Sequence, residues 1–206
     1  MPVWFKAKIF LLIAFFTTSC YKEPIAQFDY HCDSQEEKSN PKIGEEIQFV
    51  NDSQYADSYL WDFDTNETST DANPTYSFEK ADTYTISLMA MSRGGASSQT
   101  KKIKVLSLQG KWDGKMLFDR ERFNFKLTLD HEPNKLKGEF ELENAIYTNL
   151  TKAQIHKYNI SFEFSINMKG KMVGFAFEGE VNKDYDEMEG VYYIDDILYG
   201  TWEADI

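Results

Sequence analysis

Carboxylates are the most abundant side chains in this sequence that could carry out chemistry. The 206 residues include 34 Asp and Glu against 22 Lys and Arg, which gives a formal net charge of −12. Two carboxylates that flank a glycosidic bond are sufficient to hydrolyse it, and the candidates are residues 184–187 and the pair Asp195 and Asp196. Both stretches have the composition of solvated turns. In so acidic a chain, neighbouring acids do not by themselves indicate a catalytic site.

Other catalytic motifs are absent from the sequence. No HExxH, GxSxG, P-loop or dinucleotide-binding GxGxxG pattern occurs. The three histidines are scattered, at His31, His131 and His156. His31 precedes Cys32, but adjacent residues of a strand point to opposite faces, which argues against a Cys/His dyad. We therefore predict that the protein is not an enzyme, and keep a hydrolase only as a third hypothesis.

Four oxygen-bearing side chains within residues 62–71 have the chemistry of a calcium site. Calcium takes carboxylate and carbonyl oxygens as ligands. The candidate ligands are Asp62, Asp64, Asn66 and Asp71. Their spacing differs from that of an EF-hand loop, and acidic turns are common on an acidic protein. Calcium is therefore the one candidate cofactor, with a purely structural turn as the alternative.

The overall composition indicates a globular protein with a sizeable core. Aromatic residues make up 16% of the chain and hydrophobic residues 42%, which excludes a disordered or fibrous chain. An acidic surface repels the phosphate backbone that supplies most nucleic-acid affinity, so nucleic acid is excluded as a partner. The length permits two small domains.

The first residues have the pattern of an export signal. Residues 1–19 contain Lys6 and Lys8 and no acid, and residues 9–16 are an uncharged apolar run too short to span a bilayer. Residues 17–20, TTSC, resemble the bacterial lipobox, although Thr17 stands where that motif usually has an aliphatic residue. The resemblance implies cleavage after residue 19 and lipidation of Cys20, followed by a tether over residues 20–23. An ordinary secretory signal is the alternative.

The predicted anchor places the protein on the bacterial cell envelope, with the membrane as one partner. Tyr21 stands where an acid would indicate retention at the inner membrane, so we predict the outer membrane. Lipidation of Cys20 would leave Cys32 without an intramolecular partner, because the chain has only two cysteines.

Residues 24–106 alternate apolar and polar residues in short runs, as in an all-β sandwich. Five motifs within them resemble the PKD domain: WDF at 61–63, ST at 69–70, NPTYSF at 73–78, DTYTI at 82–86 and GGAS at 94–97. The resemblance implies an immunoglobulin-like β-sandwich that binds a partner or acts as a spacer. Trp61 and Tyr84 are predicted in its core. Where the family has glycines the chain has Asp64, Asn66 and Asp82, and Asp and Asn tolerate positive φ better than most residues.

Residues 108–206 have longer alternating strands, at the spacing typical of antiparallel barrels. GKWDG at residues 110–114 and GTWEA at 200–204 echo each other, and glycines inside strands mark points where a sheet can bend. The opening Gly-x-Trp resembles the first strand of lipocalin-like and avidin-like barrels. We predict a small up-and-down β-barrel whose first and last strands pair, with Trp112 and Trp202 in its core. The short connection between the two units predicts a restricted mutual orientation.

The predicted function is binding without catalysis, with a polysaccharide or another envelope protein as partner. Phenylalanines are plentiful enough to fill the barrel, and the alternative is a lipocalin-like carrier with a small hydrophobic ligand inside. The candidate ligand surface consists of tyrosines near the C-terminal strands: Tyr147, Tyr192, Tyr193 and Tyr199.

Overall fold

The computed structural model describes residues 21–32, 40–143 and 146–206, which form strands and turns. The predicted signal segment and Cys20 lie outside this part of the chain. Within it, no helix is long and apolar enough to cross a membrane. The all-β class predicted from the alternating sequence is confirmed.

The described residues of the N-terminal unit form seven strands in two sheets. They are β1 (Phe28–Cys32), β2 (Ile47–Asn51), β3 (Ser58–Asp62), β4 (Thr68–Ser69), β5 (Thr75–Tyr76), β6 (Thr83–Ser92) and β7 (Gly95–Lys104). The sheet orders are β1-β2-β5 and β4-β3-β6-β7. Residues at period two along these strands face the core, where the rings of Phe28 and Trp61 meet edge to face at 5.1 Å. The arrangement is an antiparallel sandwich.

In the C-terminal unit, the residues that the structure describes form nine strands in a single antiparallel sheet. They are β8 (Gly110–Phe118), β9 (Glu121–Glu132), β10 (Lys135–Leu142), β11 (Ile146–Asn149), β12 (Lys152–His156), β13 (Asn159–Met168), β14 (Lys171–Val181), β15 (Glu187–Ile194) and β16 (Ile197–Asp205). The order is β11-β10-β9-β8-β16-β15-β14-β13-β12. The first strand, β8, pairs with the last, β16, in a ladder from Met116↔Trp202 to Asp113↔Asp205. The chain therefore runs up and down and returns to its first strand.

The closed barrel expected from the sequence is not formed, because no ladder joins β11 to β12. Residues 146–156 form two consecutive strands that pair with different neighbours: β11 pairs with β10, and β12 pairs with β13. At the change, the Leu150 N–H donates to the Gly138 oxygen at 2.9 Å, and the Thr151 N–H donates to the Glu163 oxygen at 2.7 Å. Residues 146–156 thus form backbone hydrogen bonds on both sides of the sheet, first with β10 and then with β13.

The two units meet at a buried histidine. Val105 belongs to the first hydrophobic core, whereas Leu106 and Leu108 belong to the second. The Leu108 N–H donates to His131 Nδ1 at 3.1 Å, and the Ser107 hydroxyl lies 3.3 Å from the same nitrogen. The Nδ1 atom must be unprotonated to accept from Leu108, so this contact requires a neutral imidazole.

A lysine of the N-terminal unit also docks on the C-terminal unit. The Lys42 ammonium lies 4.2 Å from the ring centroid of Tyr158 and 5.4 Å from that of Tyr185. It also donates to the Lys157 carbonyl at 3.0 Å. Cation–π contacts of this kind contribute about 0.5–2 kcal/mol each. Lys42 therefore adds a second contact that fixes the two units relative to each other.

We expect acid to weaken the fold through His131. Burial lowers the pKa of its imidazole below the ordinary 6.5, with a smaller opposing effect of the Asp130 carboxylate. The unfolded chain takes up this proton below about pH 6.5 while the folded chain does not, so this contribution to stability falls as the pH drops through that window.

The matched variant is His131→Asn, whose amide oxygen can accept from Leu108 without titrating. Urea unfolding at pH 7 and pH 5 should show a smaller loss of stability for His131→Asn than for the wild type. Equal losses in the two proteins would contradict the assignment to His131.

Candidate functional site

Aromatic side chains fill the interior of the C-terminal sheet. The ring centroids of Phe140 and Phe164 lie 4.3 Å apart, and those of Phe162 and Phe177 lie 4.7 Å apart. Tyr192 continues this stack, 5.4 Å from Phe177. All five side chains are at most 1% exposed. Protein side chains therefore occupy the space that a carrier would need for its ligand.

The four tyrosines proposed as a ligand surface do not come together. Tyr192 is fully buried and its hydroxyl donates to the Leu117 carbonyl at 3.0 Å, so it is not available to a ligand, contrary to expectation. Tyr193 follows it on the opposite face of β15 and is half-buried. Tyr147 is 70% exposed on β11, and Tyr199 is 46% exposed on β16, with three strands between them. Strand parity and sheet order separate these residues.

The three tryptophans predicted in the cores are buried, and Tyr84 is half-buried. Trp61, Trp112 and Trp202 are at most 3% exposed. The indole of Trp61 donates to the Asp71 carbonyl at 3.0 Å, and that of Trp202 donates to the Val191 carbonyl at 3.0 Å. Tyr84 lies at the edge of the first core, half-buried, with its ring 4.1 Å from that of Phe78.

The carboxylates proposed for calcium are engaged with the backbone of their own turn and its neighbour. Asp62 Oδ1 accepts the Asp64 N–H at 2.9 Å, and Asp64 Oδ2 accepts the Thr85 N–H at 2.9 Å. Asp64 and Asn66 have φ values of 63° and 66°, the left-handed region expected where the family has glycines. Asp71 accepts the Trp61 indole through its peptide oxygen. Across residues 21–32, 40–143 and 146–206, no group of three or more His, Cys, Asp or Glu could hold a metal ion.

The acids considered for hydrolysis also lie in turns, except Glu187, which is the first residue of β15. Asp195 Oδ1 accepts the Gly174 N–H at 2.9 Å, which together with Lys171 lowers the pKa of Asp195. Asp186 Oδ1 accepts from the Asn182 amide at 2.6 Å. These contacts give each carboxylate a role in a turn between strands.

His31 and Cys32, which were considered as a Cys/His dyad, differ in exposure. His31 is exposed, whereas Cys32 is half-buried, and burial raises the pKa of its thiol to about 11. Such a thiol stays protonated near neutral pH and is a poor nucleophile.

A broad groove crosses the outer face of the C-terminal sheet, opposite the aromatic core. Its volume is about 1230 Å³, and β8, β9 and β12 to β16 line it. Two rows of side chains, in register across the strands, form its floor. The first row is His156, Asn159, Glu180, Glu189, Glu203 and Lys115; the second is Gln154, Ser161, Glu178, Val191 and Thr201. Most of these side chains are exposed hydrogen-bonding groups.

The groove is predominantly acidic. Glu180, Glu189 and Glu203 lie directly opposite one another on three adjacent strands. Like charges at such positions destabilise a sheet. A second depression of about 510 Å³ adjoins the groove and adds Asp113, Glu187 and Asp205. Lys115 and Arg122 are the cations that line the groove.

Sequence reasoning missed this site, although part of its signal was present. The outward positions of β14 to β16 could be read from the alternation of polar residues with core residues. Their neighbours across the sheet could not, because sequence alone does not give the register between β8 and β16.

Paired glycines lie beneath the groove. Gly179 on β14 is in register with Gly190 on β15. A Cβ on Gly190 would lie 2.5 Å from the Gly179 Cα and would collide with the Glu178 carbonyl oxygen. The two strands therefore approach more closely here than residues with side chains would allow.

Two comparisons with known proteins concern part of the chain only. Residues 32–106 match the family model of the PKD domain, which confirms the recognition of this domain from the sequence. Over 69 residues the chain is 41% identical to the collagenase ColA of Bacillus cereus, a match that covers 31% of this chain and 7% of the relative. The chain thus spans a small part of that relative's length.

A solved structure aligns with most of the chain. It is described as the structural basis for the promiscuous specificity of the carbohydrate-binding modules from the β-sandwich superfamily. The alignment covers 90% of this chain and 93% of the other, with 15% identity and a TM-score of 0.39.

The paired glycines give a test of the groove floor. Gly190→Ala should destabilise the protein by about 1–3 kcal/mol, the usual cost of forcing atoms into a packed site. The control is Gly174→Ala on β14, where the nearest atom to a new Cβ is Asp195 Oδ1 at 3.7 Å, an ordinary contact. Urea unfolding should separate the two variants, and equal midpoints would contradict the close approach.

Proposed function

We propose that this protein is an exported lipoprotein of the bacterial envelope, anchored through Cys20, whose C-terminal sheet is a non-catalytic binding module. Its PKD domain acts as the spacer between the anchor and the binding module, and the partner is a polysaccharide or another envelope protein. The signal pattern of residues 1–19 and the TTSC motif support the anchor. The groove on the outer face of β12 to β16 is the observation that carries the binding function.

The groove suits an extended polar ligand. Neighbouring strands are about 4.8 Å apart, so each row presents a side chain at that interval along the groove. Carboxylate, amide and hydroxyl groups at these positions can accept and donate hydrogen bonds to hydroxyl or amide groups of a partner. The opposed glutamates cost stability, which favours a role in recognition over a structural one.

The strand directions support the spacer role. β7 runs ten residues from Gly95, near the start of the described chain, to Lys104, near the junction. At about 3.3 Å per residue this strand spans about 33 Å. The contacts of Lys42 with Lys157 and Tyr158 then fix the C-terminal unit at the far end of the PKD domain.

The carrier alternative is disfavoured by the aromatic interior. The rings of Phe140, Phe164 and Phe177 lie within contact distance of one another where a ligand would have to enter.

Blocking the groove tests the binding function. Thr201→Tyr places a bulky side chain at the middle of the second row, while Thr128→Tyr makes the same change at an exposed position of β9 outside the groove. Tyrosine is favoured in strands, so both variants should fold. We expect wild type and Thr128→Tyr to bind the same glycan-array component or to crosslink to the same envelope protein, and Thr201→Tyr to lose that signal.

Two results would contradict this proposal. One is that the wild type binds no glycan and crosslinks to no envelope protein. The other is that Thr201→Tyr and Thr128→Tyr bind the same partner equally.

The anchor is tested by mass spectrometry of the protein purified from membranes of a bacterial host. We expect a mature chain that begins at Cys20 and carries acyl groups, and we expect Cys20→Ala to abolish both the acyl mass and the membrane fractionation. Several acyl chains, at about 0.8 kcal/mol per buried CH₂, would hold the protein stably. Recovery of a chain cut elsewhere without acyl groups would contradict the proposed anchor.

A further inference from the structure

The first described residues form an exposed aromatic and basic surface with two loops of the PKD domain. We call it the tether face: Tyr21, Lys22, Tyr55, Ala56, Asp57, Ser92 and Arg93, which line a depression of about 640 Å³. The rings of Tyr21 and Tyr55 are 52% and 50% exposed. The Lys22 ammonium lies 4.2 Å from the ring centroid of Tyr55, and Arg93 Nη1 donates to the Tyr21 hydroxyl at 3.3 Å. Each ring therefore carries a cation beside it.

The chain that leads to this face is docked along the domain. The N–H groups of Ile25 and Gln54 each donate to the other residue's carbonyl at 2.9 Å. A Cβ on Gly94 would collide with the Lys22 carbonyl oxygen, so the tether lies directly against the turn between β6 and β7. Pro24, which lies between Lys22 and Ile25 in the sequence, is buried. These contacts leave no free spacer between residue 22 and the domain.

This docking fixes the height of the domain above a membrane. Consecutive Cα atoms are 3.8 Å apart, so Tyr21 lies one such step from Cys20. Acyl chains on Cys20 would be buried in the bilayer, which places Tyr21 in the layer of lipid headgroups. The loops that carry Tyr55 and Arg93 contact residues 21–22 and must lie at the same level.

The residue types of the tether face fit that layer. Tyrosine rings concentrate at membrane–water interfaces, where one end is apolar and the other hydrated. Lys22 and Arg93 outnumber Asp57, the one acid that lines the depression, on a chain of net charge −12, and the exposed Glu23 lies beside the face. Each cation near an anionic surface contributes about 1 kcal/mol. Tyr55 is held at φ 58°, a strained conformation for a bulky residue, and stays exposed.

We propose that the tether face is a membrane-contact surface that seats its tyrosines and cations among phospholipid headgroups beside the lipidated Cys20. The inference rests on the proposed anchor. It gives the protein one orientation, with the PKD domain seated on the bilayer and the outer-face groove of the C-terminal sheet held away from it.

The test uses the lipidated mature protein in vesicles of phosphatidylethanolamine and phosphatidylglycerol that contain brominated lipid. Tyr55→Trp adds a fluorophore to the tether face, and Tyr147→Trp adds one to an exposed site on the C-terminal sheet. Trp61, Trp112 and Trp202 are buried and give the same background in both variants. We expect brominated lipid to quench the added emission of Tyr55→Trp and to leave that of Tyr147→Trp unchanged.

Charge is tested separately with the pair K22Q and R93Q in the Tyr55→Trp background. We expect the double variant to be quenched less than its parent, and the quenching of the parent to weaken as salt is raised.

Mass spectrometry of each sample separates the possible failures. Lipidated Tyr55→Trp without quenching, or quenched no more than Tyr147→Trp, would overturn the tether face and leave the anchor standing. An unlipidated chain would overturn the anchor, and the tether face with it. Tyr21→Trp repeats the measurement at a second position of the face should Tyr55→Trp fail to fold.

Discussion

The ladder between β8 and β16 is the constraint on which the C-terminal unit depends. It joins the first strand of the unit to the last, so the nine strands wrap around one aromatic interior. Across the same ladder, Glu203 of β16 comes opposite Lys115 of β8, which continues the acidic row of the groove to a cation. One set of hydrogen bonds therefore determines both what is buried inside the sheet and which side chains are neighbours outside it.

Because aromatic side chains fill the interior of the C-terminal sheet, the candidate binding site lies on its outer face. With Phe140, Phe164 and Phe177 stacked in the core, the inward positions are used for stability. The outward positions are free to vary chemically, and there the chain places carboxylates, amides and hydroxyls in register. Gly179 and Gly190 allow a close approach of β14 and β15 beneath them. One face of the sheet thus packs the core, and the opposite face carries the candidate binding site.

The junction and the tether lie at opposite ends of the PKD domain. Neighbouring residues Val105 and Leu106 enter different cores, Lys42 binds across the boundary, and His131 binds Ser107 and Leu108 at the junction. The tether lies at the other end of β7, against Gly94. The PKD domain therefore holds two contacts at opposite ends, one at the chain start and one with the C-terminal sheet. This geometry accounts for the proposed role of the domain as a spacer.

The all-β class, the PKD domain and the up-and-down strand order could be predicted from the sequence, because period-two alternation and local turn motifs depend on near neighbours along the chain. The glycine positions of the PKD resemblance predicted positive φ at Asp64 and Asn66, which have it, and at Asp82, which does not. Three features could be seen only in the folded protein: Tyr192 is buried, residues 146–156 divide between two edges of the sheet, and glutamates from three strands form one row. Those outcomes depend on register and on contacts between residues distant in sequence, which alternation does not specify.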